Sequence, residues 1–355
     1  MTSASIDPPT RVGLIGFGLG GATFHAPFIS RTPGLSLAAV MTSDPERRRA
    51  VEQEYPEASV VADVDALLAL TPRLDLIAIS TPNASHYPLA RAALEARRHV
   101  VVDKPFAGTS AQARELDALA ARRGILAMPF QNRRWDGDFL TLQHLIREGA
   151  LGHIFRYESR FDRWRPTPKP GWCRPDAPER AENIVHDIAT HLVDQALVLF
   201  GPVTSVYAEL TARRPEVVTF DDAFLALTHT NGVSSHLYMS AVAGQPGPRM
   251  SVFGSRATYM KHYLDGQEDA LRAGMRPGDA TYGEEPPDRW GSLVGPGIDE
   301  RIPTATGAYP EFYRGVARAV REGAPLPVAV ADVIAGLAIV EATFLSHEKR
   351  EVVTL

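Results

Sequence analysis

The sequence predicts an α/β protein of two domains: a doubly wound parallel sheet, followed by an α+β domain with an antiparallel or mixed sheet. Three observations predict it. The chain has 355 residues, more than one compact core accommodates. Its first third alternates short apolar runs with helical patterns, and after Gln131 that rhythm gives way to strands in direct succession.

In the first domain, Val12–Ile15, Leu35–Met41, Ser59–Val61, Leu74–Ser80, Val100–Val102 and Ile125–Met128 are short, apolar and closed by Gly, Pro or polar residues. Strands buried on both faces read this way. Between them, Tyr87–Arg97 and Ala111–Arg123 repeat Ala and Leu at helical spacing, which implies right-handed crossovers and a parallel sheet. The second domain opens with a helix over Asp138–Glu148 and a long strand over Ile154–Phe161. A Pro-rich irregular stretch, Arg165–Glu179, precedes a helix at Ile188–Phe200. Val203–Leu210, Ala223–Thr230, Val233–Ala241 and Met250–Gly254 alternate polar and apolar residues as half-buried strands do. Asp265–Thr306 is rich in Gly, Pro and charge and reads as loop, and helices over Glu311–Arg321 and Ala331–His347 close the chain. The boundary falls near Pro129–Gln131, giving domains of residues 1–129 and 130–355.

Composition narrows the function classes. With 45% hydrophobic and 22% charged residues the chain reads as an ordinary globular protein. A formal net charge of −5 offers no basic surface, so neither nucleic acid nor a membrane is an expected partner. Met1–Arg11 has no apolar core of a signal peptide, and no uninterrupted apolar run reaches the roughly 18 residues of a membrane span. A single cysteine, Cys173, cannot form an internal disulfide, which suits a cytoplasmic location.

Gly16, Gly18 and Gly21 form G-x-G-x-x-G directly after the first strand and at the start of the first helix. In a βαβ unit that placement marks a Rossmann dinucleotide loop. The first glycine turns tightly, the second admits a pyrophosphate close to the backbone, and the third lets helix pack on strand. Phe17 lies within the loop. The tip of the second strand carries Thr42 and Ser43, neutral donors where a carboxylate would select NAD. Asp44 before Pro45 reads as a helix N-cap, and Arg47 and Arg48 in the following turn suit a 2′-phosphate. NADP is therefore favoured over NAD.

The 37 basic residues include only four lysines, Lys104, Lys169, Lys261 and Lys349. Lys104 ends the Val100–Val102 strand, on the edge where doubly wound sheets bind ligands. Lysine, unlike arginine, is tuned toward neutral titration by burial or by a neighbouring cation. In the second domain Asp187 and His191 stand four apart on one helix, with His186 alongside. A carboxylate beside an imidazole suits an oriented general acid/base. The same pair also fits a helix-start cap with a core histidine, or half of a metal site; no third ligand stands out, and no metal is expected.

Together these residues resemble the family of glucose–fructose oxidoreductase, inositol dehydrogenase and rhizopine-catabolism proteins, over essentially the whole chain. The marks are Gly16–Gly21, the turn Ser80, Thr81, Pro82 and Asn83 with His86, the Lys104–Pro105 pair, and Asp187 with His191. Phe24–Pro27, Gln131–Asp136 and Glu158–Arg163 are similar to the branch of NADP-dependent scyllo-inositol dehydrogenases. The resemblance implies an open, largely antiparallel second sheet, a homodimer or homotetramer, and a small polyol, cyclitol or sugar oxidised at a secondary hydroxyl, or the matching ketone reduced. It carries the family's reactive lysine onto Lys104 and its Asp and His onto Asp187 and His191. His191, oriented by Asp187, is expected to take the hydroxyl proton while Lys104 hydrogen-bonds the same oxygen; the reverse division of labour stays open. Ser80, Thr81, Pro82, Asn83 and His86 are expected to frame the nicotinamide, and Gln131, Arg133, Trp164, Arg165 and His186 to line the substrate cleft. Two positions depart from the family: Asp103 stands where a Glu is usual, and Glu182–His186 replaces a glycine-rich approach. A sensor that binds NADP without turnover and an NAD-dependent glycosidase are the competing readings; a sensor has no need of the Lys104, Asp187 and His191 set.

Overall fold

Six parallel strands build the first sheet in the order β3-β2-β1-β4-β5-β6. They are β1 (Thr10–Ile15), β2 (Leu35–Met41), β3 (Ser59–Val61), β4 (Leu76–Ile79), β5 (His99–Val102) and β6 (Ala127–Pro129). The structure is a computed structural model that describes residues 8–168, 181–215 and 217–355. β2 and β3 lie on one side of β1 and β4–β6 on the other, so the chain reverses direction between β1 and β4. A ligand crevice opens at that reversal, beyond the carboxyl ends of the strands. Val12, Leu14, Ile15, Ile77, Ile79 and Val100 to Val102 are fully buried, as helices on both faces require.

The second sheet has nine strands in the order β14-β13-β12-β11-β7-β10-β9-β8-β15. They are β7 (Ile154–Asp162), β8 (Val203–Thr211), β9 (Asp222–His229), β10 (Ser234–Ser240), β11 (Met250–Gly254), β12 (Thr258–Lys261), β13 (Gly291–Gly295), β14 (Ile298–Ile302) and β15 (Val353–Thr354). Among the described residues every pairing is antiparallel except β7 with β10, aligned from Arg156↔Ser234 to Asp162↔Ser240. That parallel pair closes a long crossover through the helix Thr190–Phe200. Along β7, Tyr157, Ser159 and Phe161 are buried while Arg156, Glu158 and Arg160 face the other side.

Two stretches differ from the sequence expectation. Asp265–Thr306 is not all loop: it holds a short helix, Gln267–Arg272, and the hairpin of β13 and β14. β14 is an edge strand whose centre reads Asp299, Glu300, Arg301, and charge on an edge strand erases the apolar signal. The helix expected at Ile188 begins earlier, with a π-helical turn, Val185–Ala189, that runs into Thr190–Phe200. Most of the Pro-rich stretch and Cys173 lie outside the described residues.

The closing helices bind the two cores together. Pro310–Glu322 inserts Phe312, Tyr313 and Val316 into the core of the first sheet. Val330–Lys349 is long and apolar enough to cross a bilayer by length and composition, yet it packs along both cores. Its Val330, Val333 and Leu337 face the first, and Ile339, Val340 and Ala342 the second. Phe312 is fully buried against Phe130, Trp135 and Tyr313, with ring centroids 4.8, 5.9 and 5.3 Å away. Phe312→Ala should therefore destabilise the protein by roughly 3–5 kcal/mol, read from the urea midpoint and slope. A loss below about 1 kcal/mol would mean this helix does not hold the first core.

Candidate active site

The glycine loop shows which glycines serve the fold and which a ligand. Gly16 has φ +93°, and a Cβ there would lie 2.3 Å from the Ser80 carbonyl oxygen. A Cβ on Gly21 would lie 2.0 Å from the Gly16 oxygen, so strand and helix touch at that point. Gly18 is different: only Arg47 Nη1, at 3.8 Å, approaches its missing side chain. Its bare backbone faces a cleft of about 410 Å³, lined also by Phe17, Thr42, Ser43, Arg47, Ser80, Thr81 and Pro82. These residues fit a dinucleotide: close backbone approach at Gly18, and hydroxyls with one guanidinium beyond the tip of β2.

Asp44 caps the helix Pro45–Glu54, accepting hydrogen bonds from the Glu46 and Arg47 amides at 2.8 and 3.1 Å, and those bonds hold its pKa below the ordinary value. Arg47 lines the cleft, whereas Arg48 turns to the Val60 carbonyl and Glu52. Asn83 and His86 do not line it. Asn83 donates to the Ala181 carbonyl at 2.8 Å, tying the loop to the second domain. His86 is buried, its two ring nitrogens 2.8 Å from the carbonyl oxygens of Pro105 and Thr81. It clamps the segments after β4 and β5 together.

Lys104 follows β5 and enters a second cleft, of about 400 Å³, that adjoins the first at Leu19, Gly20 and Asp103. Asp103 fixes its start, accepting from the Lys104 amide at 2.8 Å and from Ser80 Oγ at 3.0 Å. His25 Nε2 lies 3.4 Å from the same carboxylate, and its Nδ1 is 2.6 Å from Tyr313 Oη. Burial opposes the Asp103 charge, but His25, then His86 and Lys104, outweigh it and hold the pKa well below the usual carboxylate range. Lys104 Nζ then donates to Asp187 Oδ1 and to the Asp187 carbonyl, each at 2.7 Å. One of its three N–H groups is left for the cleft.

His191 lines the same cleft and is buried, with no hydrogen-bond partner for Nδ1 among the described residues. Burial, then the charges of Lys104 and Arg133, push its pKa well below 6.5, so it is neutral. Of the expected Asp187 and His191 pair, the Asp187 carboxylate is engaged by Lys104. Both residues line the cleft, and the Asp187 charge acts on His191 against the downward shift that burial produces.

Of the expected substrate residues, Arg133 and Arg165 line this cleft. Arg133 donates to Glu268 at 2.9 Å and to Asp136 at 3.3 Å. Gln131, Trp164 and His186 do not line it. Gln131 is buried beside Thr190 and Asp332 in a separate small cavity. Trp164 bridges Val242 and is 63% exposed. His186 hydrogen-bonds Asn183 and stacks on Phe344, centroids 5.3 Å apart, which makes it a core residue. Arg163, Glu268 and Arg272 were not expected and do line the cleft. The signal for Arg163 was period two: in an extended segment Arg163 and Arg165 share a face and Trp164 takes the other. Glu268 and Arg272 sit on the short helix inside the stretch that reads as loop, where no periodic signal exists. Among the described residues no group of three or more His, Cys, Asp or Glu side chains is placed to hold a metal ion.

Residues 10–130 match the family model described as an oxidoreductase family with NAD-binding Rossmann fold, and residues 139–260 match the GFO/IDH/MocA C-terminal domain. The scyllo-inositol 2-dehydrogenase (NADP(+)) IolW of Bacillus subtilis is 34% identical over 349 residues, covering 97% of this chain and 96% of its own. The oxidoreductase YdgJ of Escherichia coli is 40% identical over 349 residues, covering 97% of this chain and 98% of its own. The solved structure of yvaA from Bacillus subtilis has a TM-score of 0.91 at 33% identity, covering 98% of each chain. The chain thus belongs to the Gfo/Idh/MocA family, and it is an oxidoreductase of the dehydrogenase type, acting on CH–OH groups with a nicotinamide dinucleotide.

Proposed function

We propose that this protein is an NADP-preferring dehydrogenase that oxidises a secondary hydroxyl of a cyclitol, sugar or polyol, or reduces the matching ketone. The observation that carries the reading is Lys104, braced by Asp187 with one N–H to spare, in one cleft with a neutral histidine. A nicotinamide dinucleotide in the adjoining cleft supplies the two-electron redox step. The chain's own residues manage the oxygen and its proton. In the oxidation direction the neutral His191 accepts the hydroxyl proton. Lys104 donates to the same oxygen and stabilises the negative charge that develops there. Asp187 keeps the ammonium aimed by holding its other two N–H groups. The NADP preference rests on the tip of β2, whose cleft-lining residues Thr42, Ser43 and Arg47 include no carboxylate, and the relative at 34% identity carries NADP(+) in its name.

The reading is tested with purified protein, NADP or NAD, and a panel of inositols and aldoses, by following absorbance of the reduced nicotinamide. Turnover with NADP is expected, and Lys104→Ala should lower kcat/KM by about 10²–10³-fold. No turnover with any member of the panel or with sugar acids and sugar phosphates, despite tight NADP binding, would favour a sensor.

His191→Asn should lower kcat by roughly 10²–10⁴-fold. Because its folded pKa lies well below 6.5, His191 stays deprotonated as pH falls through 6.5, so oxidation should keep its plateau well into the acid range. An acid limb centred at or above 6.5 that vanishes in His191→Asn would contradict that depressed pKa.

Arg47→Ala should shift the ratio of kcat/KM for NADP over NAD toward NAD by about tenfold, the worth of one charge-assisted hydrogen bond. An unchanged ratio would remove Arg47 from cofactor choice.

A further inference from the structure

Beyond the Lys104 cleft the cavity continues into a recess of about 320 Å³ that contains neither Lys104 nor any residue of the glycine loop. Arg133, Arg163, Arg165 and Arg272 line it, with Phe161 between them. Their partners sort them into two classes. Arg133 is spent on Glu268 and Asp136, and Arg272 donates to Glu268 at 2.8 Å. Asp265 accepts from the Gly137 and Gln267 amides, and the exposed Asp269 is the third carboxylate of the recess. Arg163 and Arg165, by contrast, have no side-chain hydrogen bond or ion pair among the described residues. The Arg163 guanidinium lies over the Phe161 ring, 4.4 Å from its centroid.

Arg163 is half-buried beside Arg165, and neither guanidinium is paired with any of the three carboxylates of the recess. Burial, then the charge of Arg165, pulls the Arg163 pKa down to about 10, and Asp187 and Glu268 only partly offset this. A neutral hydroxyl does not relieve such a pair. An anion does, because planar forks of N–H donors match the paired oxygens of a carboxylate or phosphate. The two cavities together, about 400 and 320 Å³, are of a size to hold a small polyol chain with one end at Lys104 and the other in the recess.

We propose that the substrate carries an anionic group, a carboxylate or a phosphate, seated between Arg163 and Arg165 while its reacting hydroxyl lies at Lys104. The substrate class is then a sugar acid or a polyol phosphate, not a neutral cyclitol. This rests on the dehydrogenase reading for the reacting end only.

The test uses NADP-loaded full-length protein. Binding by calorimetry and turnover by absorbance are measured for D-gluconate, D-glucuronate and D-glucose 6-phosphate against myo-inositol and D-glucose. At least one anionic probe should bind roughly ten- to hundredfold more tightly than its neutral counterpart. The arm that wins separates carboxylate from phosphate. In the Arg163→Gln/Arg165→Gln double variant the ratio of anionic to neutral binding should fall toward one, with Arg163→Lys retaining part of it. If the double variant does not fold, the exposed Arg165→Gln alone carries the comparison, with a drop in the ratio expected. Equal binding of neutral and anionic probes, or a preference that survives the substitutions, overturns the proposal. Anion binding that depends on the arginines, without turnover of any probe, sustains the anion site and counts against the dehydrogenase reading. Turnover confined to neutral polyols does the reverse.

Discussion

The bond from Lys104 to Asp187 joins residues 83 positions apart, one on each domain, and the chemistry of the cleft depends on it. A lysine at a strand end has four rotatable carbons and a large rotamer entropy to lose. Two acceptors at 2.7 Å, both from Asp187, hold the ammonium in one place. The side chains of this ion pair are 22% and 24% exposed, enough solvent to moderate the desolvation cost of the charges. Its value therefore lies in position more than in stability. It sets the ammonium beside a buried imidazole, and that cation is one cause of the neutrality of His191.

Holding the lysine requires holding the backbone beneath it. Asp103 accepts from the Lys104 amide and from Ser80, and faces His25, which reaches Tyr313 on the helix Pro310–Glu322. The loop after β5, the loop after β4 and a helix from the far end of the sequence thus converge on one carboxylate. A half-buried charge of this kind depends on its partners. An aspartate is one methylene shorter than the glutamate usual in the family, and its own carboxylate bonds its own neighbour's amide. The shorter residue has become a backbone anchor.

The parts of this arrangement that are local were legible in the sequence. Strands buried on both faces announce themselves as apolar runs, and the glycine loop by its spacing between strand and helix. Lys104 stood out through rarity and place. The Asp44 cap was readable because capping involves residues only three apart. Direction was not legible. His86, His186 and Asn83 carry suitable chemistry near the right motifs, but each is satisfied by something distant: the Pro105 carbonyl, Phe344 and the Ala181 carbonyl. Nothing nearby in the sequence reports such partners. The π-helical turn at Val185–Ala189 leaves no mark in spacing either, because the same residues suit a regular helix.

The charges around the Lys104 cleft follow a logic that a neutral substrate would not need. Five cations line it, Lys104, Arg133, Arg163, Arg165 and Arg272, against three carboxylates, Asp103, Asp187 and Glu268. Those carboxylates are committed: Asp103 to the backbone and His25, Asp187 to Lys104, Glu268 to Arg133 and Arg272. An excess of positive potential in a partly enclosed space favours the transient negative charge on a reacting oxygen. One lysine suffices for that task, and the family resemblance asks for no more. Arg163 and Arg165 line both this cleft and the recess, which Lys104 does not reach. Their charge is better matched to a permanent anion than to a transient one. In the proposed reading the adjoining clefts divide the work: phosphate recognition at the glycine loop, proton management at Lys104 and His191, and a fixed countercharge at Arg163 and Arg165.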